Sequence, residues 1–452
     1  MHMLLRSTLA RLGRVIWLRL AARTILLPLR SLLRSLVRRL PRDPGLLVFG
    51  APLGRFADNA AYLFLDADGA LEHYRRVWIT PSRSVRDRLR AAGYEAETKW
   101  SPRGVRRCLS AGMYLYSAYP SDINRWLYDG AVMFNLWHGV PLKRIERDRT
   151  NRTAEHRSDA LSRRAFADEQ VVPDLLLSPS AFISRRCFQS AFAVPPQRCV
   201  DAGYPRTDHF AVPLRPSPIV EVLPSRDQWY RLAEERLVVG YFPTWRDSPE
   251  ALAGSEGDAV LRRLAVEAQR RGGVVVFKPH GNTADAPDTR RLAGVVTLDD
   301  ADDVHAFLPL CHLLITDYSS IAFDFMLLER PIIYHVPDLE AYKRYPGLYF
   351  DAGEAMPGVM TRTSDELCRA VRSADLADPG RQVRVIKRMT WQDNDAGSVS
   401  RIADRIDSAL RRHPTVPPVA GPGGRESSSS HEGSRTRRLD ERQHAGFADA
   451  DR

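Results

Sequence analysis

Short, unbroken apolar runs separated by helix-length segments restrict this chain most. "RLVVGYFPT", "GVVVFKPH", "GVVTLD", "HLLITDY" and "PIIYHV" read as strands, while "AVLRRLAVEAQRRG", "DVHAFLPLC" and "SIAFDFMLLE" between them read as helices. A strand with one wet face alternates apolar and polar residues. A run that is apolar throughout is covered on both faces, as in parallel sheets packed between helices. The same alternation occurs earlier, in "GLLVFGAP", "HYRRVWIT", the helical "SVRDRLRAAG", "AGMYLYSAY" and "GAVMFNLWHG", and a loop-like "VPLRPSPIVEVLPSRD" divides the two series. The expectation is an α/β chain with two doubly wound domains, residues 43–225 and 226–412.

The two ends of the chain differ from this body. The net charge is +11, but residues 1–42 hold ten arginines and no acidic residue, so the remainder is nearly neutral and no nucleic-acid partner is expected. Leu5, Leu9, Leu12, Ile16 and Leu20 recur at helical spacing. After Pro28, so do Leu29, Leu32, Leu33, Leu36, Val37 and Leu40, with Arg30, Arg34 and Arg38 on another face. No window reaches the ~20 apolar residues that span a bilayer. Basic amphipathic helices suit an anionic membrane surface, and residues 1–42 are expected to dock there. The alternatives are packing on the protein's own body and a presequence. Residues 413–452, with "GPGGRESSSSHEGSRTRR", have too few apolar side chains to pack and are expected to be disordered. Five widely spaced cysteines without a CxxC pair point to a reducing, cytoplasmic setting.

Ligands of open parallel sheets bind beyond the carboxyl ends of the strands. Four such ends carry chemistry: Trp137-His138-Gly139, Pro243-Thr244-Trp245-Arg246, Lys278-Pro279-His280 and Asp317-Tyr318-Ser319-Ser320. His138, on a loop beside a glycine, is either a structural histidine or a base for an attacking hydroxyl. His280 and Lys278 would not leave an apolar strand into a buried setting without a partner or ligand. Arg246 is a solvated charge or a phosphate clamp. Ser319 and Ser320 begin a helix. Each alone is an ordinary cap, while together with free N–H groups they could complete an anion site. Asp302, in "DDADD", is expected to cap the following helix. No Walker A loop, GxGxxG, GxSxG, HExxH or zinc-type cysteine set is present.

Taken in order, "LWHGVPLKRI", "GYPRTDHF", "VGYFPTWRD", "VVVFKPH" and "LITDYSSIAFDFMLLERPIIYHVPDLEAY" resemble the CDP-glycerol glycerophosphotransferase family of teichoic-acid synthesis, and "FADNAAYLF" fits the same pattern. The resemblance covers residues 45–395. It implies a GT-B fold, two Rossmann-like domains facing a cleft, with the donor held mainly by the C-terminal one. It also implies transfer of an alcohol phosphate from a CDP-alcohol to an acceptor hydroxyl, with release of CMP. On this resemblance His138 and His280 are the catalytic histidines, and Thr244, Arg246, Lys278, Ser319, Ser320 and Asp324 bind the donor. Three departures bear on donor choice: Gly281 where the family shows proline, His312 where it shows aspartate, and Pro346 where it shows arginine.

The expected activity is therefore transfer of glycerol phosphate, or a related polyol phosphate, from CDP-glycerol or another CDP-polyol. The acceptor is a hydroxyl of a lipid-linked surface polymer, no cofactor or metal is required, and the setting is peripheral, on the cytoplasmic face of the membrane. The competing readings are a GT-B glycosyltransferase using a nucleotide sugar and a non-catalytic membrane-binding protein.

Overall fold

The computed structural model describes residues 30–65, 69–149, 171–210, 226–244, 255–278, 289, 292–298, 303–344, 347–391 and 396–413. The helix expected over Leu5–Leu20, and Arg246, His280, Gly281, Asp302, Pro346 and the tail from residue 414, lie outside these residues.

Two all-parallel sheets form, as the apolar runs require. The first contains β1 (Asp43–Gly50), β2 (Arg75–Thr80), β3 (Ala96–Thr98), β4 (Ala111–Tyr116), β5 (Val132–Asn135), β6 (Leu175–Ser178) and β7 (Cys199–Asp201), in the order β3-β2-β1-β4-β5-β6-β7. The second contains β8 (Leu237–Phe242), β9 (Gly273–Phe277), β10 (Val295–Thr297), β11 (Leu313–Thr316), β12 (Ile332–His335) and β13 (Val359–Thr361), in the order β10-β9-β8-β11-β12-β13. Strand order reverses between β1 and β4 and between β8 and β11. These are the switch points where a crevice opens beyond the carboxyl ends. The architecture is the α/β, GT-B arrangement expected. β4, β5, β6, β9, β11 and β12 are buried at every position. Each fully covered valine or leucine contributes roughly 1.5–3 kcal/mol.

The two halves share a core, because one buried apolar cluster includes Leu47, Phe49 and Leu115 of the first sheet and Val238, Leu314 and Tyr334 of the second. The last helix, Ser398–Arg412, was expected within the second domain but packs on the first. Its hydroxyl-bearing first residue, Ser398, donates to Asp208 at 2.7 Å, and Tyr74 donates to Asp407 at 2.6 Å. Val399, Ile402, Ala403, Ile406 and Leu410, spaced for one helical face, are buried in the shared core.

The described part of the arginine-rich segment packs partly on the protein's own body, one of the alternatives given above. Residues 30–38 are helical, but the leucines do not form one buried face. Val37 is buried, Leu33 packs partly beside it, and Leu32 and Leu36 are more than half exposed. Arg30 and Arg34 turn toward the body, stacked over Trp126 and Tyr128, and Arg34 donates to Asp129 at 2.9 Å. Guanidinium groups lie well on aromatic faces, so the arginines compete with leucine for the protein surface. Arg42 is fully buried and donates to the carbonyls of Cys108, Leu127 and Asp129. It is thus part of the fold rather than of an appendage.

Candidate active site

A cavity of about 370 Å³ lies where the carboxyl ends of β5, β8 and β11 converge. Small-ligand pockets run from roughly 300 to 1,000 Å³. Its first wall runs from Trp137 to Ile145, following β5. Its second consists of Pro243 and Thr244 after β8 and Tyr318, Ser319 and Ser320 after β11. The second wall therefore stands at a switch point.

The first wall is held by hydrogen bonds on every side of His138. The Asn59 amide, fully buried on the helix Asp58–Leu65, donates to the carbonyls of Leu136 and Trp137 at 3.1 and 3.0 Å. Asn135 accepts from the Trp137 N–H at 2.9 Å and donates to the Ala118 carbonyl at 3.1 Å. Trp137 adopts a left-handed φ of 47°, with its indole 4.0 Å from the imidazole, centroid to centroid. His138 Nδ1 lies 3.0 Å from the Ser117 carbonyl. A carbonyl only accepts, so Nδ1 carries the proton and the neutral ring keeps its lone pair on Nε2. The side chain is open to the cavity but crowded by protein, and loss of solvent lowers its pKa below the ordinary histidine value. Arg206 and Lys143 press the same way, while Asp58 and the Ser117 carbonyl oppose them. The ring is thus a neutral imidazole whose Nε2 lone pair is not taken by the Ser117 carbonyl.

The polar knot after β11 divides its tasks. The Thr316 hydroxyl donates to the Phe242 carbonyl at 2.7 Å, and Asp317 accepts from the Thr244 N–H at 2.9 Å, so both fasten the exit of β8. Tyr318 stacks on Tyr342 and donates to Asp338. Ser319 Oγ accepts from the Ile321 N–H at 3.3 Å, one residue ahead of Ser320, the N-cap position of the helix Ile321–Met326. Ser320 makes no side-chain hydrogen bond among the described residues, and the buried hydroxyl of Thr244 likewise has no partner among them. The halves meet at this point, because a Cβ on Gly139, whose φ is 144°, would lie 2.7 Å from Ser320 Oγ. Only glycine admits that approach.

The structure therefore brings His138, Thr244, Ser319 and Ser320 to one pocket. Lys278 follows β9 outside the residues lining it, and its charge acts on Asp303. Asp324 is fully buried behind the pocket, 2.6 Å from Arg206 and 3.1 Å from His305. Helix Val304–Phe307 is capped by Asp303, whose carboxylate accepts from the His305 N–H. His312 is remote from the pocket. It precedes β11, and its Nδ1 accepts from the Val238 N–H at 3.1 Å at the amino ends of the strands. The acceptor role there suits an aspartate equally, so this departure concerns the amino ends of the central strands rather than the donor.

Arg206, Asp58, Asn59 and Ser117 escaped sequence reasoning. Arg206 follows β7, a three-residue strand too short to register as an apolar run, although it sits in the quoted "GYPRTDHF". Recognising that strand would have brought Arg206 under the strand-end rule.

Residues 32–408 match the CDP-glycerol:poly(glycerophosphate) glycerophosphotransferase family. The chain belongs to it. Among the glycerophosphotransferases it resembles are a teichoic acid poly(glycerol phosphate) polymerase of Bacillus spizizenii, 24% identical over 77% of this chain and 88% of the relative. A teichoic acid glycerol-phosphate transferase of Staphylococcus aureus is 28% identical, with 55% of this chain and 64% of the relative covered. The polymerase of Bacillus subtilis is 30% identical, but the chain spans only 32% of that protein. A solved structure of the wall teichoic acid polymerase TagF superposes with a TM-score of 0.69 at 22% identity, over 86% of this chain and 96% of the other, which shows the shared fold. The protein is thus a glycerophosphotransferase-like enzyme.

Proposed function

We propose that the protein moves glycerol phosphate, or a related polyol phosphate, from a CDP-alcohol to a hydroxyl of a lipid-linked polymer, releasing CMP. The observation that carries this reading is the pairing of a neutral imidazole, oriented by the Ser117 carbonyl, with unengaged hydroxyls across one pocket. The acceptor oxygen attacks the β-phosphorus and forms a new P–O bond. The bond from that phosphorus to the bridging oxygen breaks, CMP leaves with the electron pair, and His138 Nε2 takes the acceptor's proton. Ser319, Ser320 and Thr244 face the donor phosphates, with Arg246, Lys278 and His280 completing the donor site, and Asp324 supports it from behind the pocket through Arg206. Such charge is stabilised best by donors already in place. No cofactor is required on this reading.

Within residues 1–42, the arginine-rich segment docks the enzyme peripherally on the cytoplasmic face of the membrane through the side not packed on the body. The exposed Leu32, Leu36 and Leu40 beside exposed Arg38 and Arg39 supply the combination an anionic interface favours. No described helix is long and apolar enough to cross a membrane. Purified protein incubated with CDP-glycerol or CDP-ribitol and a lipid-linked acceptor should release CMP, and mass analysis of the product should show added alcohol phosphate. Absence of CMP release from every donor defeats the proposal.

A further inference from the structure

Behind the pocket runs a chain of buried and partly buried charges that direct proton transfer does not use. Arg206, on the helix Pro205–Asp208, is fully buried. Its Nη1 donates to Asp58 at 2.6 Å and its Nη2 to Asp324 at 2.6 Å. Asp58 belongs to the first half and Asp324 to the second, so one guanidinium spans the seam. Beyond it, His305 lies 3.1 Å from both Asp324 and Asp303. On the pocket side, Arg206 Nη2 would be 3.2 Å from a Cβ on Gly139, at the place where Gly139 meets Ser320. The Arg206 N–H also points to Asn59 Oδ1 at 3.4 Å, and the Asn59 amide holds the Trp137 carbonyl.

Stability is a poor reason for such a chain. Removing ions from water costs several kcal/mol each, and packed apolar residues often serve as well or better. Nor is the network complete, because Arg206 Nε and Asp324 Oδ1 have no hydrogen-bond partner among the described residues. A local rule broken without gain in stability points to function. What the fork does achieve is geometry. A planar guanidinium with two N–H groups engaged fixes the two carboxylates relative to each other, which an ammonium does not do.

We propose that Arg206 is a positioning residue: its fork sets the spacing between the His138 loop and the Ser319–Ser320 turn, and its charge offsets that of Asp58 beside the imidazole. This rests on His138 being the proton acceptor. The charged groups facing His138 are Asp58 on its helix, Arg206 on the helix after β7 and Lys143 on the same loop. Arg206 is the one bonded to both halves.

The test compares full-length wild type, Arg206→Lys and Arg206→Gln. Three readouts are taken: CMP release from CDP-glycerol, NMR titration of His138 without donor (its signal assigned by loss in His138→Gln), and hydrogen exchange of peptides covering 135–142 and 317–324. Arg206→Lys keeps the charge and loses the fork. It should titrate like wild type, exchange faster in both peptides and lose about 100-fold in kcat with little change in donor KM, the scale of a ~1 Å misplacement. Arg206→Gln should show the same losses and raise the His138 pKa by about 1 unit, as an unopposed nearby carboxylate does. Wild-type exchange in Arg206→Lys overturns the positioning role, and an unmoved titration in Arg206→Gln overturns the charge role. If Arg206→Gln does not fold, Arg206→Lys decides the positioning role, and neutralising Asp58 alongside it, in Arg206→Gln/Asp58→Asn, decides the charge role by restoring the wild-type titration. A wild-type protein that releases no CMP refutes the transferase reading, while exchange and titration still judge Arg206.

Discussion

The two walls of the pocket are built on opposite terms. On the first, nearly every polar group around His138 is engaged by another protein group: Asn59 with two carbonyls, Asn135 with the Trp137 N–H, and His138 itself with Ser117. On the second, Thr316, Asp317 and Tyr318 secure the frame, while the hydroxyls of Ser320 and Thr244 have no partner among the described residues. A base must present one lone pair in one direction, which favours a fully satisfied and rigid surround. A phosphate site must offer donors to a ligand, which favours hydroxyls left open. On the proposed function, the contrast distinguishes a wall made for chemistry from one made for binding.

The largest effect should come from the wall where one atom matters. His138→Gln should reduce CMP release by about 10³-fold, within the range for loss of a general base, while the thermal melting temperature stays close to wild type. Retained turnover would remove the distinction between the walls. Because crowding by protein, with loss of solvent, lowers the His138 pKa, the acid limb of kcat in the wild-type enzyme should lie below the ordinary histidine value, with activity rising as the ring loses its proton. A limb above that value would contradict a neutral base.

Gly139→Ala attacks the contact between the walls. Its Cβ would meet Ser320 at 2.7 Å on a backbone with φ of 144°. The expected cost is on the order of 10²-fold in kcat, as for other small misplacements, with stability lowered by about 1–3 kcal/mol in urea unfolding. Ser320→Ala should do less and do it differently. Donor affinity measured by calorimetry should fall about 10-fold, the scale of one hydrogen bond to a charged group, with no loss of stability, since no protein partner is abandoned. A stability loss without an affinity loss would make Ser320 a cap.

The smallest effect concerns the buried charges. Burial and Arg206 oppose protonation of His305, but Asp303 and Asp324 outweigh them and hold its pKa up to about 9. A folded value above the unfolded one means that stability from this group is complete below about pH 6.5 and is lost as pH rises through about 9. Urea midpoints should therefore decline across that window, and His305→Gln should flatten the decline. An unchanged slope would mean that His305 carries no charge in the folded protein.

Much of this protein followed from sequence alone, and the physical reason is locality. Apolar runs mark doubly covered strands, and the residue just past such a run is the one a sheet presents to a ligand, so His138, Thr244, Ser319 and Ser320 could be identified one strand at a time. The guanidinium over Trp126 was not legible, because helical spacing reports which residues share a face but not what that face meets. Nor was Arg206, since β7 is too short to stand out and its partner Asp324 lies 118 residues away. Pairing across the seam between two sheets leaves no periodic trace in either segment. Sequence determined which residues end the strands and hence what chemistry is on offer. Only the tertiary structure decided which of them face each other, because that depends on how the two sheets bury a common core.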